Sequence, residues 1–252
     1  MKRKFILLFL GILLFGILSF FLFFSDNFLK LLFNQKIWVH RVNSIEKLDE
    51  LKADYYGVEL DVVFVDSLKK FDINHPPEKS IQLFLEEYLS SVSQNKTLHF
   101  WLDFKNLEAK NQEQAIKNLN FICDSLSLLR NNFIVESSNV SMLNEFLKEG
   151  YQISYYLHWP GLYSLNKNEF KQKLNSINEE LKIYKYKNYL SSDYRDYEIL
   201  KKQFPEHEIL LWLDDAFGKQ DKFKDRLLLY KMLLDKDVKV ILIRYKSKIN
   251  ER

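Results

Sequence analysis

Residues 57–65 read Gly-Val-Glu-Leu-Asp-Val-Val-Phe-Val, and this run is the best single guide to the architecture of the chain. It is rich in β-branched residues and shorter than a typical helix, which predicts a buried strand. Seven further apolar runs recur along the chain, and longer stretches with helical spacing separate them. The eight predicted strands are Ile37–Val42, Gly57–Val65, Thr97–Phe104, Asn132–Ser137, Gln152–Leu157, Tyr184–Tyr189, Glu208–Leu213 and Val238–Tyr245.

The stretches between these runs carry apolar residues spaced three and four apart, as in Ile81, Phe84, Leu85 and Tyr88, which is the spacing of an amphipathic helix. The predicted helices are Ile45–Lys52, Ile81–Val92, Gln112–Leu129, Val140–Lys148, Glu169–Leu181, Tyr197–Gln203 and Phe223–Leu234. Strands that alternate with helices indicate βα units and a parallel sheet. Eight such units in about 215 residues predict an α/β fold of the (β/α)8 TIM-barrel type. An open doubly wound sheet is the competing fold.

The composition excludes several classes of protein. The chain has 252 residues, 47% of them hydrophobic and 28% charged, which excludes global disorder. A formal charge of only +3, without a basic stripe, argues against a nucleic-acid partner. A single cysteine, Cys123, excludes an intrachain disulfide and a cysteine-based zinc site. No glycine-rich nucleotide-binding motif occurs in the sequence.

The N-terminus differs from the rest of the chain. Three basic residues at positions 2–4 precede an apolar run, Phe5–Phe24, whose twenty residues match the thickness of a bilayer. Because the positive charge should stay in the cytoplasm, the sequence predicts one transmembrane helix with the barrel on the periplasmic or extracellular side. The predicted regions are a cytoplasmic stub and anchor at 1–25, a linker at 26–36 and the barrel at 37–252. A cleaved signal peptide is the alternative, and it would leave the compartment unchanged.

Charged residues gather where the first three predicted strands end. Because barrel enzymes carry their chemistry at the carboxyl ends of the strands, and residues i and i+2 of a strand share a face, we expect these side chains to converge at the barrel mouth. They are His40 and Arg41 after the first strand, Glu59 and Asp61 on the second, His75 in the segment that follows, and Asp103 and Lys105 after the third.

Three carboxylates at one point repel one another unless a cation lies between them. The side chains of Glu59, Asp61 and Asp103 offer only oxygen ligands, which favours Mg²⁺ or Ca²⁺. Such an ion could bind a phosphoryl oxygen, and Lys105 could neutralise charge that develops on the phosphorus centre. Two histidines beside that centre suit a nucleophile or base and an acid, in an order that the sequence leaves open.

Two residues beyond the third strand are candidate substrate contacts. Glu136 ends the fourth predicted strand, where it could reach a metal or a substrate hydroxyl, although a helix-capping position explains it equally well. Trp212 ends the seventh, where an aromatic ring could pack against a choline-like head group, although aromatic residues at such positions are more often part of the core.

The order of these motifs resembles that of the glycerophosphodiester phosphodiesterases. The resemblance matches His40 and His75 to that family's two catalytic histidines, and Glu59 and Asp61 to its metal-binding pair. The Asp-Phe-Lys at 103–105 is similar to the motif of sphingomyelinase-D-like toxins. The segments 40–44, 75–77 and 102–105 resemble the menorin family most closely, a family of membrane-associated relatives. The resemblance implies a metal-dependent phosphodiester hydrolase that acts on glycerophosphodiesters or phospholipid head groups, and Arg41 and Lys105 are the expected phosphate contacts.

The chain departs from the family pattern around the predicted ligands. Val42 stands where glycine usually follows the His-Arg pair, and Pro76 stands where an aspartate often follows the second histidine. These changes keep the ligands and put the glycerophosphodiester substrate in doubt, so a non-catalytic barrel that binds an envelope partner or lipid is the rival interpretation. A glycosidase is a weaker one, because Glu59 and Asp61 lie on one strand and do not flank a sugar bond. The sequence leaves the oligomeric state open.

Overall fold

A computed structural model describes residues 2–92, 97–213, 222–245 and 247 of the chain, and in the first helix it describes side chains from residue 9 onward. Within these ranges the strands are β1 (Ile37–His40), β2 (Gly57–Val65), β3 (Lys70–Ile73), β4 (His99–Phe104), β5 (Phe133–Ser137), β6 (Gln152–Tyr156), β7 (Tyr189–Asp193), β8 (Ile209–Leu213) and β9 (Val238–Arg244). The α-helices are α1 (Lys2–Phe24), α2 (Asp26–Phe33), α3 (Ile45–Leu51), α4 (Leu85–Ser90), α5 (Gln112–Leu126), α6 (Leu143–Lys148), α7 (Lys167–Ile183), α8 (Tyr197–Gln203) and α9 (Lys222–Leu234).

Eight parallel strands close into a barrel. Their order is β1-β9-β8-β7-β6-β5-β4-β2, and the pairing of β2 with β1 completes the circle. Helices surround the sheet, so the predicted TIM barrel is confirmed. The last residues assigned to the predicted barrel domain, 248–252, lie outside the described residues.

One predicted strand is wrong. Tyr184–Tyr189 alternates tyrosine and lysine, but Tyr184 caps the end of α7 and Lys185 turns the chain with a φ of 49°. Tyr186 is buried, and its hydroxyl lies 2.8 Å from the carbonyl oxygen of Tyr189 and 3.2 Å from that of Ile153, so its one proton always has an acceptor. The strand of this βα unit is instead β7, which begins at Tyr189.

The sequence also missed a hairpin between the second and third parallel strands. β3 runs antiparallel to β2, with Val62 opposite Ile73 and Val65 opposite Lys70. Its partner β2 pairs with β4 only up to Val62, so the last three residues of β2 extend beyond the barrel. The following helix, α4, begins at Leu85, four residues later than predicted, because Phe84 forms an antiparallel bridge with Asp72.

An aromatic floor closes the barrel interior at the amino-terminal ends of the strands. It consists of Trp38, Tyr56 and His99, and Gly57 lies beside it. The rings of Tyr56 and His99 stack with centroids 4.2 Å apart. The indole nitrogen of Trp38 donates to the carbonyl oxygen of Gln35 at 2.9 Å. A Cβ atom at Gly57 would lie 2.3 Å from the Trp38 ring, so only glycine lets the strand approach that closely.

Part of the predicted linker forms α2, which begins after the capping hydroxyl of Ser25 and buries Leu29 against the barrel. Arg226 of α9 fixes the junction of α1 and α2. Its Nε donates to the carbonyl oxygen of Phe23 at 2.8 Å, and its Nη1 pairs with Asp26 at 2.7 Å. The first two helices are therefore attached to the barrel by specific polar contacts.

The apolar N-terminal run is helical, as the sequence predicts. Among the described residues, no single helix meets the length and hydropathy expected of a membrane span. Phe9–Phe24 and Asp26–Phe33 meet both requirements only as a pair, and a bend of 75° separates them. A transmembrane role for α1 therefore stays a prediction.

Candidate active site

A cavity of about 310 Å³ opens among the residues at the carboxyl ends of the barrel strands. Every site residue predicted from the sequence lines it: His40, Arg41, Glu59, Asp61, His75, Asp103, Lys105, Glu136 and Trp212. The structure thus brings together side chains that are up to 172 positions apart in sequence. The individual roles assigned to them stay predictions.

The turn after β1 organises one side of the cavity. Arg41 has a φ of 54°, a left-handed conformation that is uncommon for residues other than glycine. Its backbone N–H donates to Glu59 Oε2 at 2.7 Å, and its guanidinium donates to His75 Nε2 at 3.1 Å. The other histidine, His40, lies with Nε2 3.5 Å from the same Glu59 oxygen. Arg41 therefore connects one carboxylate of the site to one of its histidines.

Three carboxylates face one another at the centre of this side. Glu59, Asp61 and Asp103 each offer an oxygen, and the three oxygens lie within 4.8 Å of one another. The Nζ atom of Lys105 is 2.7 Å from Asp61 and also contacts Asp103. On its other side, Asp61 accepts from the Asn43 amide at 2.7 Å and donates its own backbone N–H to the same side chain at 3.0 Å. Asp61 is therefore held in one orientation.

The surroundings of these charged groups shift their pKa values in different directions. Burial, together with repulsion by Asp61 and Asp103, raises the pKa of Glu59 well above its ordinary value. Burial also raises the pKa of Asp103. For Asp61, burial is outweighed by Lys105 and Asn43, and its pKa is lowered. The pKa of Lys105 is raised although its burial acts in the opposite direction, because Asp103 and Asp61 stabilise the ammonium form.

A divalent cation would compensate the negative charge of the three clustered carboxylates. Glu59 Oε1 is buried and has no hydrogen-bond partner among the described residues, and its carboxylate lies close to those of Asp61 and Asp103. A buried carboxylate oxygen is costly unless something compensates it. Glu59, Asp61 and Asp103 supply the all-oxygen donor set that Mg²⁺ and Ca²⁺ prefer.

The opposite wall of the cavity is aromatic. The rings of Tyr156 and Trp212 stack with centroids 5.2 Å apart and an interplanar angle of 14°. Within the described part of the chain, the buried indole nitrogens of Trp101 and Trp212 and the Oε2 atom of Glu136 have no hydrogen-bond partner. Burial raises the pKa of Glu136 to about 8, so this carboxyl is largely protonated at neutral pH. This wall therefore offers a ligand both apolar surface and hydrogen-bond donors.

The missed hairpin positions His75. This residue follows β3 by two positions, and the preceding Asn74 donates its backbone N–H to the carbonyl oxygen of Asp61 at 3.1 Å. The same peptide segment therefore joins the second histidine to the strand that carries two of the carboxylates. The sequence predicted His75 as a site residue, and the structure places it in the cavity, but the antiparallel strand that precedes it was not predicted.

Sequence reasoning missed four further residues. Asn43 orients Asp61, and Trp101, Tyr156 and Trp159 line the cavity. Residue parity could have found one of them, because Trp101 is two positions before Asp103 on the same strand and must share its face. Trp159 carried the same signal as Trp212, an aromatic residue at or just after the end of a predicted strand, but it was not selected, and Asn43 carried no comparable signal because it lies in an irregular segment.

Comparison with known proteins finds one matching family model and several solved structures with a similar fold. Residues 34–125 match the model of the menorin N-terminal domain. The fold is similar to that of a glycerophosphodiester phosphodiesterase from Parabacteroides distasonis, with 17% identity, a TM-score of 0.57 and coverage of 83% of this chain and 92% of the other. It is also similar to a phosphodiesterase from Oleispira antarctica solved with its product sn-glycerol-3-phosphate, with 12% identity, a TM-score of 0.52 and coverage of 82% and 92%. No curated protein sequence matches the chain.

At these identities the structural likeness establishes the shared TIM-barrel fold. The resemblance to the menorin family inferred from the sequence is confirmed over residues 34–125, and the resemblance to the glycerophosphodiester phosphodiesterases is confirmed at the level of the fold. The menorin match includes β1, β2 and β4 with both histidines and all three clustered carboxylates, and it ends before Glu136 and Trp212.

Proposed function

We propose that this chain, a TIM barrel whose residues 34–125 match the menorin N-terminal domain, is a membrane-anchored phosphodiesterase that depends on Mg²⁺ or Ca²⁺. Its proposed substrates are glycerophosphodiesters or phospholipid head groups. One observation carries the proposal: two histidines, three clustered carboxylates and two cationic side chains line a single cavity at the mouth of a TIM barrel. These groups can supply a general acid, a general base and stabilisation of the charge that develops at one phosphorus centre.

In this proposal, Glu59, Asp61 and Asp103 hold the cation. When bound, the ion supplies Lewis-acid stabilisation of charge on the phosphoryl oxygens. Lys105 and Arg41 bind the phosphate, and the buried Nε atom of Arg41 has no partner among the described residues with which it would have to compete. His40 and His75 share the roles of base or nucleophile and of acid to the leaving alcohol. The aromatic wall with Glu136 and Trp212 receives the remainder of the substrate.

The proposed anchor is α1. Basic residues at positions 2–4 precede a twenty-residue apolar run interrupted only by two glycines and one serine, and the described side chains of the helix are largely exposed, as in Phe15 at 72% and Phe21 at 68%. Such a surface is costly in water and favourable in a bilayer. The positive charge at the start would keep that end cytoplasmic and hold the barrel on the periplasmic or extracellular side, near a lipid substrate.

The first experiment measures metal binding without a substrate. The full chain in detergent is melted in EDTA, Mg²⁺ or Ca²⁺, beside Asp61→Asn and the control Asp72→Asn, which changes a buried carboxylate outside the cavity. Saturation at a hundred times Kd adds about 2.7 kcal/mol, which raises the Tm by about 5 to 10 °C. We expect this rise in the unsubstituted chain and in Asp72→Asn, but not in Asp61→Asn. No rise with either metal would overturn the metal dependence.

The second experiment tests the reaction. Purified chain is incubated with glycerophosphocholine, glycerophosphoethanolamine and lysophosphatidylcholine, and the released alcohol or phosphomonoester is quantified. We expect metal-dependent hydrolysis of at least one of these diesters that is lost in His75→Ala. Metal binding without hydrolysis of any phosphodiester would overturn the enzymatic part of the proposal.

A second candidate function is a non-catalytic barrel that binds lipid or an envelope partner. The contacts of Lys105 favour it, because this ammonium group already pairs with Asp61 and Asp103 and balances part of their charge. A lysine in that position can substitute for a cation in a protein that no longer needs one. The two experiments together separate the candidates, because the absence of a metal-induced rise, or a rise without hydrolysis, favours the non-catalytic barrel.

A further inference from the structure

We infer that α2 and α9 form a collar that lies in the membrane interface where α1 leaves the barrel, so that the barrel rests on the lipid surface in a fixed orientation. The collar consists of the exposed apolar side chains of Leu31 and Leu32 on α2 and of Phe223, Leu227 and Leu234 on α9. This inference rests on the proposed anchoring by α1 and goes beyond it, because an anchor alone does not require contact between barrel and lipid.

The first support is the concentration of exposed apolar surface. Beyond α1, the described residues include twelve large hydrophobic side chains that are exposed, and five of them belong to these two short helices. Leu31 and Leu234 are exposed to 77% and 71%. Scattered apolar residues are normal on a protein surface, but a contiguous group marks an interaction site.

The second support is the arrangement of this surface. Phe223, Leu227, Tyr230 and Leu234 are spaced four, three and four residues apart, so they follow one face of α9. Tyr230 lies in the middle of that face, and its ring stacks on Phe23 of α1 with centroids 4.9 Å apart. The apolar face of α9 therefore continues directly into the apolar surface of α1.

The third support is the angle at which the helices meet. The axis of α2 is bent by 75° from that of α1. If α1 runs along the bilayer normal, α2 therefore lies only about 15° from the membrane plane, the orientation of an interfacial amphipathic helix. Contacts of Asp26 with Arg226, at 2.7 Å, and of Phe33 with Tyr230 hold α9 alongside α2. These contacts place the two collar helices side by side at the end of α1.

The fourth support is charge. Residues 26–36 and 222–236 together contain seven lysines or arginines and three acidic residues, a net charge of +4. The whole chain has a net charge of +3, so the remainder has a net charge of −1. Basic residues beside an apolar face favour the surface of a membrane with anionic lipids. The collar therefore matches a lipid interface both in its apolar residues and in its charge.

The test labels single cysteines with an environment-sensitive NBD fluorophore. The native Cys123 is fully buried and should not react. Leu31→Cys and Leu234→Cys report on the collar, and Leu14→Cys reports on insertion of α1. Ile183→Cys is the matched control, because Ile183 ends α7 as Leu234 ends α9 and is exposed to 68%.

The full chain is reconstituted at fewer than one copy per vesicle of phosphatidylcholine and phosphatidylglycerol, with and without lipids that carry a spin label near the head group. We expect the spin label to remove about half of the emission at Leu31 and Leu234, and about a tenth or less at Ile183. If Leu14 is quenched by a deep spin label but the collar positions behave like Ile183, the collar is overturned and the anchor stands. If Leu14 is also unquenched, the anchor fails and the collar with it. A blue-shifted but unquenched collar probe would assign the surface to protein and would also overturn the inference.

Discussion

The polar atoms at the two ends of the barrel interior differ in whether they have hydrogen-bond partners. At the floor, the indole nitrogen of Trp38 has a carbonyl partner at 2.9 Å, and His99 bonds Thr97 through Nδ1 and Tyr56 through Nε2. At the mouth, among the described residues, the indole nitrogens of Trp101 and Trp212 are buried and have no partner. A buried donor without a partner costs about 1–3 kcal/mol. The comparison indicates that the floor is built for stability and the mouth for a ligand that completes its hydrogen bonds.

The largest effect that would test this contrast is on turnover. We expect His40→Ala and His75→Ala to lower kcat by about 10²–10⁴-fold, because in the proposed reaction each removes a group that transfers a proton. Neither should lower the Tm by more than a few degrees, because both side chains line the cavity. The floor variant His99→Ala should show the reverse, with a lower Tm and an unchanged kcat. Equal loss of turnover in all three would remove the distinction between the two ends.

The next effect concerns packing at the floor. Gly57→Ala would place a methyl group 2.3 to 2.7 Å from three atoms of the buried Trp38 indole. Overpacking of this kind typically costs about 1–3 kcal/mol, so we expect a clear fall in the urea midpoint. Turnover per folded molecule should not change. An unchanged midpoint would mean that the Trp38 ring can move to accommodate the methyl group, which would contradict tight packing at the floor.

A smaller effect is the pH dependence of the free energy of unfolding that Glu136, at the barrel mouth, should cause. Burial raises the pKa of Glu136 from its ordinary value of 4.5 to about 8, so the native state keeps a proton that the unfolded state releases. The free energy of unfolding should therefore fall between pH 4.5 and 8, by up to about 1.4 kcal/mol per pH unit from this group. Glu136→Gln should reduce that slope in urea titrations in EDTA without abolishing it, because the pKa values of Glu59 and Asp103 are also raised. The exposed control Glu145→Gln should leave the slope unchanged. A slope in Glu136→Gln equal to that of the unsubstituted chain would contradict the contribution of Glu136.

The smallest effect compares two tryptophans directly. Trp38→Phe deprives the Gln35 carbonyl of its partner, and Trp212→Phe removes a donor that has no partner. We expect the floor variant to lose about 1–2 kcal/mol more unfolding free energy than the mouth variant. Thermal and urea unfolding of both proteins, without metal or substrate, measure that difference. A larger loss in Trp212→Phe would mean that its indole nitrogen is satisfied by water.

Much of the fold was accessible from the sequence because strands buried on both faces form near-continuous apolar runs. β2 and α8 were predicted with their observed bounds. β7 was not, because Ser191, Ser192 and Asp193 form more than half of it and are buried inside the barrel fold despite their polarity. A pattern read from hydrophobicity alone favours the neighbouring tyrosines over such a strand.

The site residues at strand ends could be predicted from the sequence, whereas the contacts that depend on loops could not. Glu59 and Asp61 share a face by parity, and the strand that carries Asp103 pairs with theirs in register, with Asp61 opposite Asp103. By contrast, the contact of Arg41 with His75 and the hold of Asn43 on Asp61 depend on backbone turns. Nothing in residue spacing specifies a left-handed φ at Arg41 or an antiparallel strand before His75.

That hairpin has a practical consequence for protein engineering. Its turn, residues 66–69, lies at the far tip from His75, and the register of β2 and β3 between Val62 and Ile73 fixes where the histidine emerges. Leu68 in the turn is 54% exposed. A reporter peptide inserted after Ser67 would lengthen the tip and leave this register intact. The turn thus offers a position where the protein can be tagged and followed in a living cell without displacing a residue of its candidate active site.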